Sequence, residues 1–574
     1  RSLWYNTSVM EQDKPLLDLN KLTAEQALYG LAFILALIVR LIWLGHNPLT
    51  ESEAAWANQS LALSRGEPTT IGPQPLYVLF TGLVFGVVKA SEAWARLLPA
   101  LCGSLLVLLP LLFRRQMGTS AWARRAGVVL AFGLALDPGV VALSRQAGSS
   151  LPALSLLLLA VGLGFSRRWN LAGITLGLAL LAGPAFWQGA FGLALAWGAI
   201  SLLSLKRPSL AVEPEAADHP AETASPVRTV LLFALGGVVL AGTLFLRFPQ
   251  GLGALAGSLP AYLQSWAPAS GSLLPVPALR LPLALLFTQP LVLLFAIPGI
   301  LRSWLNREPH PLHSLGQNLS LWAVLALLLA MLNPNRQVSD VTWALIPLWA
   351  IAALELASLV PEDYERDYLP IIGLHAALTA LFAVLFFFNL LRLHTLGAEA
   401  WLYGGVLAGI ALIILIVTII IGAGWSPNVA RLGFSGGMLL VLGLTMLSNL
   451  RYSGFTGPSQ AGDLWGLPPG AGQVRQVSET LGDLSEWRTG HRDELDILLT
   501  VDSALLRWQL RGFPNLQVAQ GVAPDVVPSV IITSQEQTEL NLTLAYRGQD
   551  FTWAQYPGWS GLLPVQWVDW LYFH

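Results

Sequence analysis

Charge is what this sequence has least of. Only 11% of its 574 residues are Asp, Glu, Lys or Arg, against about a quarter in an ordinary soluble domain. A soluble chain so poor in charge would aggregate. Cysteine is all but missing: Cys102 stands alone, which excludes disulfides within the chain, CxxC redox chemistry and thiolate metal clusters. A charge of one sign is also lacking. Lys and Arg together number 32 against 34 Asp and Glu, and without a run of like charge there is no footing for nucleic acid. What fills the chain is apolar: 54% of residues are hydrophobic and the mean hydropathy is +0.59. Apolar stretches of about 17 to 25 residues recur from Leu28 to Ser448, each long enough to cross a hydrocarbon core of roughly 30 Å as a helix.

The fold expected is therefore an all-α polytopic membrane bundle. The first apolar segment, Ala27 to Leu44, is too long for the core of a signal peptide and lacks a small-residue cleavage site, so it reads as a retained span. Orientation follows from where Arg and Lys collect. The cluster Arg114, Arg115, Arg124 and Arg125 places that turn in the cytoplasm, and Arg96 to Phe113 becomes the second span. Gly45 to Ala95 then forms a large extracytoplasmic loop, in which Leu76 to Val88 lies on or dips into the outer face. Further spans are expected near 126–143, 150–166, 170–183, 186–205, 229–246, 281–300, 318–332, 340–358, 369–390, 400–423 and 432–448. That makes about thirteen, with the N-terminus inside and the C-terminus outside a plasma membrane.

The expected organisation is a cytoplasmic segment over 1–24, a membrane domain over 25–449 and a small extracytoplasmic α/β domain over 450–574. Residues 206–228, rich in Pro, Ala and Glu, read as a disordered cytoplasmic linker. Residues 247–280, with the amphipathic run Leu259 to Trp266, suggest a second outer loop acting as a lid. In the C-terminal part the pattern predicts a helix over 474–487, a strand over 495–501, a helix over 503–511 and a strand over 529–533. The tail carries Trp553, Trp559, Trp567, Trp570, Tyr572 and Phe573, suited either to the lipid headgroup level or to the domain's own core.

The run from Pro48 to Gly118 contains TESEAAWANQSLALSRGE, the element PQPLYVLF, the span entry at Arg96 to Ala100, and a basic end at Arg114 to Gly118. It resembles the first outer loop and second span of GT-C membrane glycosyltransferases, and is most similar to the protein O-mannosyltransferase and lipid A aminoarabinose transferase families. LDPGVVALSRQAGSS, ending at Ser150, resembles their element at the third span, and RQVSDVTWALIPLWAIAALEL, from Arg336, a late-span pattern. The resemblance covers about a quarter of the chain in detail. It implies transfer of a sugar from a polyprenyl-phosphate carrier to an acceptor at the extracytoplasmic face. Such transfer needs a carboxylate to take the acceptor hydroxyl's proton and cations to hold the departing lipid phosphate.

On that reading Glu51 and Glu53 are the candidate bases, and Arg96, Arg145 and Lys89 the candidate phosphate ligands. The chain departs from the family pattern at two acidic positions. Ser52 stands where the family's aspartate aligns, and Ser149 or Ser150 where a second acid is common. Each candidate also has a plainer reading. Glu51 and Glu53 open a predicted helix, where carboxylates suit the dipole; Arg96 and Arg145 at span ends can snorkel to headgroups. Asp137, an acid within a span, is either paired with Arg145 or marks the broken end of that span at Pro138. Asp340 and Arg336 are expected to cap the tenth span at the outer surface. His46 with Glu51 and Glu53 is a weak candidate for a divalent cation, and His310 and His313 weaker still. Otherwise no cofactor is expected. Three functions compete: the transferase; a GT-C scaffold without catalysis serving as a subunit of a membrane complex; and a transporter, disfavoured because intramembrane charge is sparse.

Overall fold

The computed structural model describes residues 23–118, 120–205, 225–268, 276–305, 311–359, 366–392, 400–456, 465, 470–521, 527–535 and 544–555. The linker expected over 206–228 therefore lies outside the described residues up to 224. So do His310 and the aromatic tail beyond Gln555.

Local signals account for the first elements. Helix α1, Ala24–Leu41, opens at Thr23, whose hydroxyl caps Gln26 N while the Gln26 side chain returns the bond. Helix α2, Glu51–Arg65, opens the same way, with Thr50 and Glu53 as a capping box, and stops at Gly66 in the left-handed region, φ 73°. Helix α3, Pro75–Val87, begins with proline in its first turn.

The chain is a multi-pass membrane protein: seven of its described helices are long and apolar enough to cross a bilayer, and two bent pairs raise the number to nine. Five further apolar helices are shorter, including Leu97–Leu112, Leu151–Phe165, Trp169–Leu180 and Pro226–Gly242, which match expected spans, and α3, which was expected on the outer face.

Two of the expected spans are bent, the first at the residue where a broken end was one of the two readings. The stretch 126–143 is broken at Asp137, where Ala121–Leu136 and Pro138–Ser144 meet at 53°. Pro138 bars the residue before it from helical geometry, and Asp137 accordingly takes φ −61°, ψ 123°. The stretch 281–300 is bent more sharply, by 105° between Arg280–Thr288 and Pro290–Leu305. Here too a proline starts the second arm. The second loop contains the helix Gln250–Gln264, which begins nine residues before the amphipathic run expected there and takes in most of it.

In the C-terminal part, the helices Val474–Thr489 and Ala504–Gln509 and the strands Ile497–Leu499 and Val530–Ile532 fall within the predicted stretches, to within two residues at their ends. A third strand, Leu516–Val518, escaped the sequence pattern. The three are parallel, with Ile497–Leu499 between the others. That central strand is buried on both faces, as parallel strands usually are.

The C-terminal elements are fastened to the first loop. Asn58 Nδ2 donates to Ala504 O at 2.8 Å, Trp508 Nε1 donates to Glu92 Oε1 at 3.1 Å, and Trp508 packs on Phe85 at 5.8 Å between ring centroids. The Arg511 guanidinium lies 4.0 Å from the Trp508 ring and 3.7 Å from Glu92. Burial lowers its pKa below the usual arginine value, with Glu92 opposing that shift and Arg65 adding to it.

Candidate functional site

Glu53 is fully buried and accepts four hydrogen bonds. Its Oε1 takes Arg96 Nε and Ala147 N, each at 2.8 Å; its Oε2 takes Arg96 Nη2 at 2.8 Å and Thr50 N at 2.9 Å. Four is about the acceptor capacity of a carboxylate. Arg96 is equally engaged. Besides Glu53 it donates to the carbonyls of Leu44, Asn47 and Pro48 at 3.2, 2.9 and 3.0 Å, so all five N–H groups are used. The pair is thus a closed, neutral knot joining the end of α1, the start of α2, the Leu97–Leu112 helix and the strip 145–150.

Glu51 faces the other way. Its Oε2 accepts from Ser503 Oγ at 2.8 Å and its Oε1 from Ala504 N. Ser503 is itself the N-cap of the helix Ala504–Gln509, so Glu51 places a negative charge at that helix's N-terminus. Ser52 Oγ meets Thr50 Oγ1 at 3.2 Å.

Arg145 is turned inward. Its Nη1 donates to Val39 O, Arg40 O and Ile42 O, and its Nη2 to Trp43 O, at 2.8 to 3.2 Å. It stacks 4.4 Å from the Phe455 ring. These carbonyls end α1, and the bonds hold Trp43 at φ 51°, a conformation L residues seldom adopt. Lys89 is exposed after α3. At 1.5 Å per residue it lies about 20 Å from Gln74 at the other end of that helix.

Asp137 does not pair with Arg145. It caps the second arm of its broken span through Val140 N at 2.8 Å and accepts Trp349 Nε1 at 2.6 Å. Its nearby cation is Arg40, a residue the sequence reading passed over. Arg40 is fully buried and donates to Leu134 O, Ala135 O, Ala36 O and Ser144 Oγ at 2.9 to 3.2 Å. It satisfies the carbonyls that the break leaves open. Asp340 caps the start of Val338–Leu359 as expected, through Gln337 N.

The strip that Glu53 holds also forms one wall of a cavity of about 240 Å³. Its lining is dominated by amides and hydroxyls: Gln74, Gln146, Gln188, Asn333, Asn335 and Gln337, with Ser149, Ser150, Tyr262, Ser265 and Ser339, and one carboxylate, Asp340. Among the described residues no Lys or Arg lines it. Gln146 Oε1, Ser149 Oγ and Ser150 Oγ are buried without a hydrogen-bond partner, an arrangement that costs free energy unless something else supplies the bonds. Gly148, at φ 68°, lets the strip turn beneath the Trp56 indole; a Cβ there would lie 2.3 Å from Trp56 Cδ1.

Of the residues singled out in the sequence, Glu53 and Arg96 meet each other, and Ser149 and Ser150 meet the cavity. Glu51, Arg145, Lys89 and Asp137 do not line it. Asp340, expected only as a helix cap, lines it as well, while the amides Gln74, Gln146, Gln188, Asn333, Asn335 and Gln337 were not singled out. Among the described residues no group of three or more His, Cys, Asp or Glu is arranged to hold a metal ion. His46 lies in a separate hollow against the C-terminal helix Val474–Thr489.

No family model matches the chain, and no curated protein matches it. Among solved structures, the chain is similar to ArnT from Cupriavidus metallidurans bound to undecaprenyl phosphate, with 15% identity, 85% of each chain covered and a TM-score of 0.47. The apo form of the same protein aligns with 16% identity over 86% of each chain and a TM-score of 0.49. An Archaeoglobus fulgidus oligosaccharyltransferase, in complex with zinc and sulfate, aligns with 16% identity over 71% of this chain and 53% of that chain, with a TM-score of 0.33.

Proposed function

We propose that this protein is a membrane glycosyltransferase that takes a sugar from a polyprenyl-phosphate carrier, with the sugar seated in the cavity beside the Glu53–Arg96 knot. The observation that supports this most is the cavity lining. A lining rich in amides and hydroxyls, with unpartnered Gln146 Oε1, Ser149 Oγ and Ser150 Oγ, suits a ligand made of hydroxyls. A volume of about 240 Å³ suits one sugar ring better than a drug-sized molecule, whose sites begin at roughly 300 Å³. Under this proposal the acceptor oxygen attacks the anomeric carbon, the bond from that carbon to phosphate breaks, and the lipid phosphate leaves with the electron pair. Glu53 and Arg96 act as positioning residues that hold the 145–150 wall. Glu51 positions the C-terminal elements over the loop. The extracytoplasmic face of the plasma membrane is the proposed location.

A scaffold without catalysis is the second reading. It is favoured by one feature: Glu51, Glu53, Arg96 and Arg145 are all bonded to the protein itself. The test is binding and turnover of polyprenyl-phosphate sugars by the protein in nanodiscs, using a radiolabelled sugar and a panel of hexose and pentose donors. Saturable binding that Gln146→Ala weakens supports the sugar site. No binding from any donor removes the transferase reading and leaves the scaffold.

A further inference from the structure

We propose that Asp340 is the general base of this cavity, a role that rests on the transferase reading above. Asp340 is the one carboxylate among the described residues that line it. The two acids of the first loop have their oxygens occupied: Glu53 by four donors and Glu51 by Ser503 and Ala504. Asp340 differs in both respects that matter. Among the described residues it forms no ion pair; its Oδ2 takes the backbone N–H of Gln337 at 2.9 Å, and the Gln188 amide lines the same cavity. The Gln337 contact orients the group while leaving acceptor capacity, since a carboxylate offers about four lone-pair sites.

Its position is built by the fold. Asp340 belongs to the short 3-10 turn Val338–Val341, whose capping box with Gln337 fixes the start of the long helix Thr342–Leu359. That helix is anchored in turn by Trp343, which packs into the space left by Gly189, where a Cβ would come within 1.9 Å of the indole. The cavity thus has two walls from distant parts of the chain. One is the strip with unpartnered Ser149 Oγ and Ser150 Oγ; the other carries the carboxylate. A sugar held by the first wall has the base on the same cavity surface. The acceptor hydroxyl gives its proton to the Asp340 carboxylate, its oxygen forms the new bond to the anomeric carbon, and the carbon–oxygen bond to the lipid phosphate breaks. The acid missing from the first loop at Ser52 is then supplied by a late helix.

The experiment is transfer from a radiolabelled polyprenyl-phosphate sugar by the full chain in nanodiscs, with donor binding measured alongside. Asp340→Asn is expected to lower turnover about a hundredfold to ten-thousandfold while donor affinity stays within a few fold. Turnover of Asp340→Asn within threefold of the parent overturns the assignment and leaves the transferase reading standing. A parent without binding or turnover from any donor removes both. Should Asp340→Asn also unsettle the fold, Asp340→Gly with added formate decides: a base position recovers turnover as formate rises, and a folded, donor-binding Asp340→Gly that formate leaves inactive overturns the proposal.

Discussion

Glu53 and Arg96, 43 positions apart in the chain, meet fork to fork with two contacts of 2.8 Å, the two residues 0% and 2% exposed. The attraction between them is not what makes the pair matter. Removing two charges from water costs several kcal/mol per ion, and only the extra bonds to Thr50, Ala147 and three carbonyls offset that cost. Either partner alone would be a buried, uncompensated charge.

Glu53→Gln is therefore expected to destabilise the protein by about 3 to 5 kcal/mol, and Arg96→Met by a similar amount. Replacing both by apolar residues of like volume is expected to cost much less than the sum. Denaturant titration of the four proteins in detergent reads the coupling directly. Strict additivity would show that the two do not act as a unit.

Glu51 stands at the junction of two parts of the chain, so its loss should be felt at the far partner. Glu51→Ala removes a charge from the N-terminus of Ala504–Gln509 and leaves Ser503 Oγ and Ala504 N without their acceptor. A cost of about 0.5 to 2 kcal/mol is expected, as for loss of a helix cap. Hydrogen exchange should speed up at Leu505 and Leu506 while the spans stay protected. Unchanged exchange there would mean that the contacts of Asn58, Trp508 and Arg511 hold the C-terminal elements without Glu51.

Gly148 and Gly86 make a matched pair. Gly148 is left-handed, with Trp56 against the place a Cβ would fill, whereas Gly86 in α3 has open space. Gly148→Ala is expected to cost at least the roughly 1 to 2 kcal/mol of a left-handed L residue and to weaken sugar binding by moving the cavity wall. Gly86→Ala should be neutral or stabilise by about 0.5 to 1 kcal/mol. Thermal unfolding of both variants, with ligand binding alongside, checks the contrast.

Sidedness is open to a direct labelling test. Cys102 is buried, so a thiol introduced at Glu67 or at Gly490, both exposed, should label over a low background. Both are expected to react with a membrane-impermeant reagent on intact cells. Reaction at only one of them would be incompatible with the contacts between the first loop and the C-terminal helix Ala504–Gln509.

Which parts were legible in the sequence follows from the range of the forces involved. The membrane helices could be read because hydropathy is a sum over neighbouring residues. The start of α2 could be read because its signals lie within four residues, Thr50 to Glu53. The break at Asp137 could be read because Pro138 restricts only the residue before it. The third parallel strand could not, since three residues, LQV, carry too little pattern. The pairing of Arg40 with the broken helix joins residues about a hundred positions apart, beyond any local period.

By itself, then, the sequence determined that this protein lives in a membrane as a set of helices, and which few residues carry charge. Only the tertiary structure decided which of those charges remain available. A carboxylate's chemistry depends on who occupies its lone pairs, and at Glu53 those occupants come from Thr50, Arg96 and Ala147, while Asp340 reaches the same cavity as Ser149 from a helix nearly two hundred residues further on. Partners at such separations are chosen by packing of the whole bundle, a property no stretch of residues contains.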